Sequence, residues 1–352
     1  MKKVLFLNKS GLEGAELMTV HYAKILSKNG YEVMLMTHVR VGCENEYCPE
    51  VPKEIKYKIS VSRYWGFLWD VVKAIWSFRP NIVFTWQHSI VKILLTPLLK
   101  YNLAPKFKLI CRCPNTPSIT DDIERNGFYS FKIADKVIAQ TKEMEYELNN
   151  IIGIPKDKLI TIINPLSKDR IHENIKETYD FDKSFTNYVA AGRISEQKDY
   201  PTMLKAFACV KQQNPRSRLY ILGRLGGKEI MNKIYSIIKE KGLEDSVFLE
   251  GLQQNPHKYE INADVFVMSS IYEGLPNSLL EALYLGVPVA VTSCIPFISQ
   301  TVEEGKNGFT APVKDDVALS KAMISASKIK GLPKFVEYNN SENLIVGLFN
   351  DI

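Results

Sequence analysis

The chain lacks the marks of a secreted or membrane-spanning protein. Its greasiest stretch, residues 93–99, is far short of the roughly 20 residues that span a bilayer. Met1, Lys2 and Lys3 make a basic start, but the apolar run behind them, residues 4–7, is too short for a signal peptide. The six cysteines, at 43, 48, 111, 113, 209 and 294, include no C-x-x-C pair. Reduced, mostly buried thiols are therefore expected, not disulfides or zinc ligands. No low-complexity tract and no short-period repeat is present, which excludes disordered and solenoid classes. These absences lead to the expectation of a cytoplasmic globular chain.

At 352 residues the chain exceeds a comfortable single core, so two domains are expected. Its composition, 45% hydrophobic and 24% charged, is ordinary, but the charge is unevenly placed. Residues 1–165 carry 23 Lys and Arg against 16 Asp and Glu, a balance of +7, while the remainder stands at −1. A basic first half suits an anionic partner: a phospholipid surface, a lipid diphosphate or nucleic acid. A scattered, solvated surface accounts for it equally well.

Along the chain, residues 2–8 read as a buried strand, 15–29 as a helix stopped by Gly30, and 31–37 as the next strand. That is the seed of a parallel sheet. Further strands are expected at 82–85, 108–111, 137–139 and 159–163, with helices at 63–78, 88–100 and 141–150. After a polar segment at 167–184, read as a linker, the pattern restarts. Strands follow at 186–191, 217–222, 247–250, 265–268 and 287–292, and helices at 201–213, 229–241 and 278–285. The expected class is α/β, with Rossmann-like domains over 1–166 and 184–335 and a C-terminal tail at 336–352. In such sheets ligands bind at the carboxyl ends of strands.

Three strand-end stretches stand out. In the first, Glu273 and Glu281 are separated by seven residues around Gly274, Leu275 and Pro276, where a loop opens a helix. The amides of Asn277, Ser278 and Leu279 are expected to be unpaired there, ready for phosphate or a sugar hydroxyl. Ser278 and Glu281 also have the spacing of a capping box, so Glu281 can serve its own helix terminus, whereas Glu273 caps nothing. The second stretch, Gly192, Arg193 and Lys198, holds two cations in one loop, which suits a diphosphate; solvated surface charge is the competing reading. The third, residues 10–16, is a glycine-containing turn before the first helix. It is not a GxGxxG fingerprint and no acidic strand-end residue follows at Thr37 and His38, which disfavours a redox dinucleotide.

Together these stretches resemble the glycosyltransferase family 4 group of retaining GT-B enzymes. That family carries an E-x7-E motif, matched by Glu273 and Glu281, and a G-R-x-x-x-x-K loop, matched by Gly192, Arg193 and Lys198. Its first loop, typically GGAE, is matched by Glu13, Gly14, Ala15 and Glu16 with one glycine replaced. Ile163, Asn164 and Pro165 are similar to the family's strand end before the linker. The resemblance runs across nearly the whole chain and is strongest from 186 to 313.

The resemblance implies GT-B architecture: two facing Rossmann-like domains with an interdomain cleft, the first binding acceptor and the second a nucleotide-sugar. It implies a retaining hexosyl transfer from a UDP-linked donor, with no cofactor and no essential metal. Arg193 and Lys198 would neutralise the donor diphosphate and the charge growing on the leaving group. Glu273 would contact the transferred sugar and Glu281 the ribose. Gly14 and Gly192 would permit close approach of backbone to donor, and the amides of Gly274 and Leu275 would help hold the sugar. Gly223 and Arg224 would flank the nucleotide, with the backbone near Gly251 meeting the base. The implied acceptor is a saccharide, polyprenyl-diphosphate-linked, in surface polysaccharide, O-antigen or glycan assembly, and not a nucleic acid.

The sequence departs from the family in two places. No histidine occupies the 111–115 loop, where members often place one near the sugar; His88 and Asn115 are the candidate sugar or acceptor contacts instead. The C-terminus is short, which limits any helix crossing back to the first domain. Asp180 and Asp182 read formally as D-x-D, but they fall in the polar segment and not at a strand end, so chance explains them better than a metal. A sugar-nucleotide epimerase of GT-B shape and a non-catalytic nucleotide-sugar scaffold are the rival readings. The E-x7-E pattern disfavours the first, and intact Arg193, Lys198, Glu273 and Glu281 the second.

The helix at 63–78 places Trp65, Leu68, Trp69, Val72, Ile75 and Trp76 at i, i+3, i+4 spacing. A core-facing helix is expected. An interfacial surface is the alternative, because Arg63, Lys73 and Arg79 accompany it and Lys92, Lys100, Lys106 and Lys108 follow in the next segment. Such a face would rest the basic N-terminal domain on an anionic membrane.

Overall fold

A computed structural model describes residues 1–9, 14–41, 51–120, 122–329, 331 and 340–352. The chain divides into two compact units, one of residues 1–165 with 338–352 and the other of 166–337. The first holds β1 (Lys3–Lys9), β2 (Glu32–Arg40), β3 (Lys56–Ser62), β4 (Ile82–Thr85), β5 (Lys108–Arg112), β6 (Lys136–Ala139) and β7 (Leu159–Thr161). They form one parallel sheet in the order β3-β2-β1-β4-β5-β6-β7.

Strand β1 shows why so apolar a run belongs at the centre. Val4 and Phe6 enter one core with Tyr22, Ala23 and Leu26 of helix α1 (Gly14–Lys28). Leu5 and Leu7 enter the opposite core with Phe67, Val71 and Ile75 of helix α2 (Tyr64–Phe78). A strand buried on both faces reads as a continuous hydrophobic run, without alternation.

The second unit repeats this plan with β8 (Thr186–Ala191), β9 (Ser217–Leu222), β10 (Val247–Gly251), β11 (Val265–Met268), β12 (Val289–Thr292) and β13 (Gly308–Ala311). Its order is β10-β9-β8-β11-β12-β13, again parallel. The chain winds outward from β8 through β9 to β10, then returns to the other flank of β8 with β11. That reversal is a topological switch point, the place where open α/β sheets bind ligands. Two strands escaped the sequence reading, β3 and β13, and both are edges. Four of the seven residues of β3 are lysine or serine, and β13 has one large apolar side chain, Phe309, so neither carries the apolar run of a central strand.

The segments expected to be a linker and a C-terminal tail both contain helices. The polar stretch 167–184 lies within the second unit and includes helix α3 (Lys168–Asn174). Its Tyr179 and Phe181 pack against Tyr220 and Tyr259. Helices α4 (Tyr200–Gln213), α5 (His257–Glu260) and α6 (Asn277–Tyr284) follow in the same unit. The expected C-terminal tail contains helix α7 (Ser341–Asp351), which belongs to the first unit. Ile345, Leu348 and Phe349 enter its core, and Phe349 stacks 6.4 Å from Phe6. Lys2 Nζ donates to the carbonyls of Phe349 and Asn350 at 3.2 and 2.9 Å, a cation at a helix carboxyl end. Eleven residues therefore suffice for a helix docked on the first unit, and the expected limit set by a short C-terminus is corrected.

Candidate functional site

The candidate donor residues of the second unit gather at the carboxyl ends of four adjacent strands. Gly251 ends β10, Gly223 and Arg224 follow β9, Gly192 and Arg193 follow β8, and Glu273, Gly274 and Leu275 follow β11. The first three strand ends stay laced beyond the sheet. Gly192 N donates to Leu222 O at 2.8 Å, Ile194 N to Arg224 O at 2.9 Å and Gly223 N to Gly251 O at 2.7 Å. Gly223 makes this possible: its φ is +151°, and a Cβ there would stand 2.1 Å from Gly192 O. Tyr200 holds the same carbonyl from the side, donating its hydroxyl to Gly192 O at 2.7 Å. Burial first, and the Glu273 charge second, push that phenol far up, so it remains a neutral donor.

The loops after β8 and β11 are stitched together. Ile271 N donates to Gln197 O at 2.8 Å, and Gln197 Nε2 donates to Tyr272 O at 3.0 Å. Ser269 Oγ lies 2.7 and 2.9 Å from the carbonyls of Lys198 and Asp199. This frame fixes the central pair: Lys198 Nζ donates to Glu273 Oε1 at 2.6 Å, and Ser270 Oγ donates to the same oxygen at 2.6 Å. The side chains are 20% and 8% exposed, so the charges are shielded from water but still reachable. Asp199, in the left-handed region, caps α4 by accepting from Thr202, and thereby sets where Lys198 leaves the backbone.

Sequence reading grouped Arg193 with Lys198 as two cations in one loop; the structure gives them different settings. Arg193 and Arg224 are exposed at neighbouring strand ends, whereas Lys198 is paired with Glu273. Cys294 lies near this pair, and burial first and the Glu273 charge second push its thiol up to about 12.

The capping-box reading of Ser278 and Glu281 is corrected. Helix α6 begins at Asn277 with Pro276 before it, so Ser278 is inside the helix and makes no capping box. The Leu279 amide, expected to be unpaired, donates to Pro276 O at 3.1 Å. Glu281 lies in the second turn, its Oε2 3.4 Å from Nε2 of the fully buried His257. The pair is close enough for charge interaction but lacks hydrogen-bond alignment at Nε2. The Asn174 side-chain amide lies 2.9 Å from His257 Nδ1 and fixes the ring from its other side.

One turn further along α5 sits Glu260, fully buried, with neither carboxylate oxygen hydrogen-bonded. Burial pushes its carboxyl up to about 7; His257 and Arg170 pull it down and Glu281 pushes it up. Sequence reading missed His257 and Glu260. The signal was their i, i+3 spacing, which brings two titratable groups to one helix face. A carboxyl whose folded pKa is raised favours folding while it is protonated. Its contribution is complete below about 4.5 and is lost as pH rises through about 7. Thermal unfolding between those limits should show a loss of stability of the order of 3 kcal/mol at most. Glu260→Gln, which cannot ionise, should remove that part of the slope; an unchanged slope would exclude Glu260 as its source.

In the first unit Gly14, His88 and Asn115 follow β1, β4 and β5, which are neighbours in the sheet. The other residues of the first loop, Ser10 to Glu13, and Cys43 and Cys48 lie outside the described residues. The His88 ring packs edge-on to Phe128 and fills the space beside Gly127, where a Cβ would meet Nδ1 at 2.3 Å. Beneath Asn115, buried Arg112 donates to Gln140 Oε1 at 2.7 Å and Asn164 Oδ1 at 2.9 Å. Gln140 in turn donates to the carbonyls of Cys113 and Pro114 at 2.8 Å. Asn164, noted in the sequence before the linker, is thus a strut of this loop. Of the D-x-D pair, Asp182 accepts from both the amide and the hydroxyl of Ser184. Among the described residues no cluster of three His, Cys, Asp or Glu side chains could hold a metal ion.

Residues 172–342 match the family described as glycosyl transferases group 1. An uncharacterized glycosyltransferase of Methanocaldococcus jannaschii is 29% identical over 246 residues, covering 64% of this chain and 59% of that protein. A Campylobacter jejuni N-acetylgalactosamine-N,N'-diacetylbacillosaminyl-diphospho-undecaprenol 4-alpha-N-acetylgalactosaminyltransferase is 26% identical over 197 residues, covering 53% of this chain and 51% of that protein. The chain thus spans little more than half the length of these two relatives. The solved structure of Anabaena HepE in complex with UDP and glucose shares the fold, with a TM-score of 0.76 at 15% identity over all of both chains. The chain thus shares the two-unit, parallel-sheet fold of the HepE structure, and its second unit is similar to the glycosyl transferases group 1.

Proposed function

We propose that this protein is a retaining, metal-independent family 4 hexosyltransferase. It takes a sugar from a UDP-linked donor and extends a lipid-diphosphate-linked saccharide in surface polysaccharide assembly. The observation that carries this reading is the Lys198–Glu273 pair at the β8–β11 switch point, with Arg193 and Arg224 exposed at the adjoining strand ends. Two guanidinium groups supply planar donors for a diphosphate, and Lys198 supplies a point charge beside it. Charge growing on the leaving phosphate draws on the same ammonium that holds Glu273, so departure and sugar contact are coupled. Glu273 Oε1 already accepts two hydrogen bonds, which suits a carboxylate that orients a sugar hydroxyl better than a covalent nucleophile. The departing phosphate then takes the acceptor proton, and attack comes from its own face.

The donor class is supported by UDP in the HepE complex, and the lipid-diphosphate acceptor by the name of the Campylobacter relative. In this reading the cations do the work of a metal. Thermal shift with UDP- and GDP-sugars, in the presence of EDTA, tests it. A donor at a hundredfold excess over Kd should stabilise by about 2.7 kcal/mol, and Arg193→Ala should abolish most of that. Stabilisation only after a divalent ion is added would remove metal independence. No shift with any donor, with or without metal, would favour a non-catalytic scaffold.

A further inference from the structure

Helix α2 has a second face that its core packing leaves over. Phe67, Leu68, Val71, Ile75 and Phe78 are buried. Trp65, Trp69 and Trp76 are 74%, 61% and 52% exposed, and they are three of the chain's four tryptophans. At 3.6 residues per turn they fall within about 40° of one another, a single stripe along the helix. Their exposed surface is about 300–500 Å², as large as the largest apolar patch of an ordinary soluble protein. Core packing does not require indole at these positions.

The fringe of the stripe is cationic. Arg63 precedes the helix, Arg79 follows it, and both are exposed, as is Lys73, whose Nζ lies 5.7 Å from the Trp69 ring. Lys56 and Lys3 stand over the ring of buried Phe78, at 5.5 and 5.3 Å, and both pair with Glu32, so they lie outside this fringe. The one acid in the helix, Asp70, accepts from Ser60 Oγ at 2.6 Å and faces Lys58 at 3.9 Å. Two copies joined through this stripe by a twofold axis would set Arg63, Lys73 and Arg79 against their own kind. A lipid surface has the opposite character: phosphates to meet the cations, and a headgroup zone that favours indole, whose body is apolar and whose N–H is polar.

We infer that the Trp65–Trp69–Trp76 stripe of α2, with its cationic fringe, docks the protein on an anionic phospholipid membrane. The inference goes beyond the proposed transfer reaction and stands whether or not the donor is a UDP-sugar. It fits a lipid-linked acceptor, since docking would confine the enzyme to the surface that holds it. No helix among the described residues is long and apolar enough to cross a membrane, so attachment through this helix is peripheral.

Vesicle sedimentation tests it with the full chain and two probes, pure phosphatidylcholine and phosphatidylcholine with about 30% phosphatidylglycerol. The wild type should sediment with the anionic vesicles only, release as salt is raised, and show a blue shift of tryptophan emission on binding. Substituting Trp65, Trp69 and Trp76 together by Ser should weaken binding by about tenfold or more, and Lys73→Glu by a smaller factor. Both variants should retain the wild-type melting temperature and its donor-induced shift, which separates lost docking from lost folding or lost donor binding. Failure of the wild type to bind anionic vesicles at low salt would overturn the inference, as would a triple variant that binds unchanged. A concentration-dependent dimer that the triple variant abolishes would assign the stripe to a second copy instead.

Discussion

Lys198→Ala should lower sugar transfer by about 10²–10³-fold, the loss found when one preorganised donor is taken from a developing oxyanion. The substitution acts twice. It removes the cation that would face the leaving phosphate, and it leaves Glu273 held only by Ser270 in a setting that is 8% exposed. Stranding one member of a buried ion pair costs about 3–5 kcal/mol. The Lys198 end is 20% open to water, so the stability loss here should fall below that range. Glu273→Gln should keep the Ser270 contact while freeing the ammonium, and should reduce transfer more than it reduces melting temperature. A double-mutant cycle decides whether the two act as a unit. Lys198→Ala combined with Glu273→Gln should be scarcely worse than the poorer single variant. A loss equal to the product of the singles would mean that they serve separate steps, and the coupled role argued for them would be wrong.

Gly223→Ala should be the most damaging single methyl in the second unit. The new Cβ would start 2.1 Å from Gly192 O and 3.1 Å from Arg193 N, at a φ of +151° that side chains rarely adopt. Both obstacles are backbone, so no rotamer change can relieve them. Overpacking and a disfavoured φ each cost about 1–3 kcal/mol, and together they predict a loss of roughly 3–5 kcal/mol. For a unit of this size that lowers its melting temperature by about 6–20 °C. Gly227→Ala is the comparison: nothing lies within 4 Å of a Cβ there, and its φ is an extended −65°. It should change stability by less than about 0.5 kcal/mol. Equal melting temperatures for the two variants would mean that the β8 and β9 ends are not held together as described.

The molecule shows which of its features local sequence can carry. Central strands such as β1, β4, β8 and β11 were legible because burial on both faces demands an unbroken apolar run. The strand-end loops were legible because Gly192, Gly223 and Glu273 sit at abrupt changes from apolar to polar chain. Edge strands β3 and β13 were not, since a strand with one neighbour and one solvated side needs little hydrophobicity. Helix α2 was half legible: its periodicity announced a buried face, but Leu68 and Ile75 turned inward while Trp65, Trp69 and Trp76 turned out. All five are apolar, so composition does not say which side a sheet will cover.

By itself the sequence determined two alternating α/β units, the strand-end loops that carry Arg193, Lys198 and Glu273, and free thiols at Cys111 and Cys113. These follow from periodicity and from residue types adjacent in the chain. Tertiary structure alone decided the partners of charged groups across long separations. Lys198 meets Glu273 75 residues away, and α7 returns to Lys2 across 347. It also placed His257 and Glu260 in the dark beside Glu281, where a capping box had been expected. The physical reason is the same in each case: which polar group satisfies a buried charge depends on which strand lies beside which, and strand order is not written in local pattern.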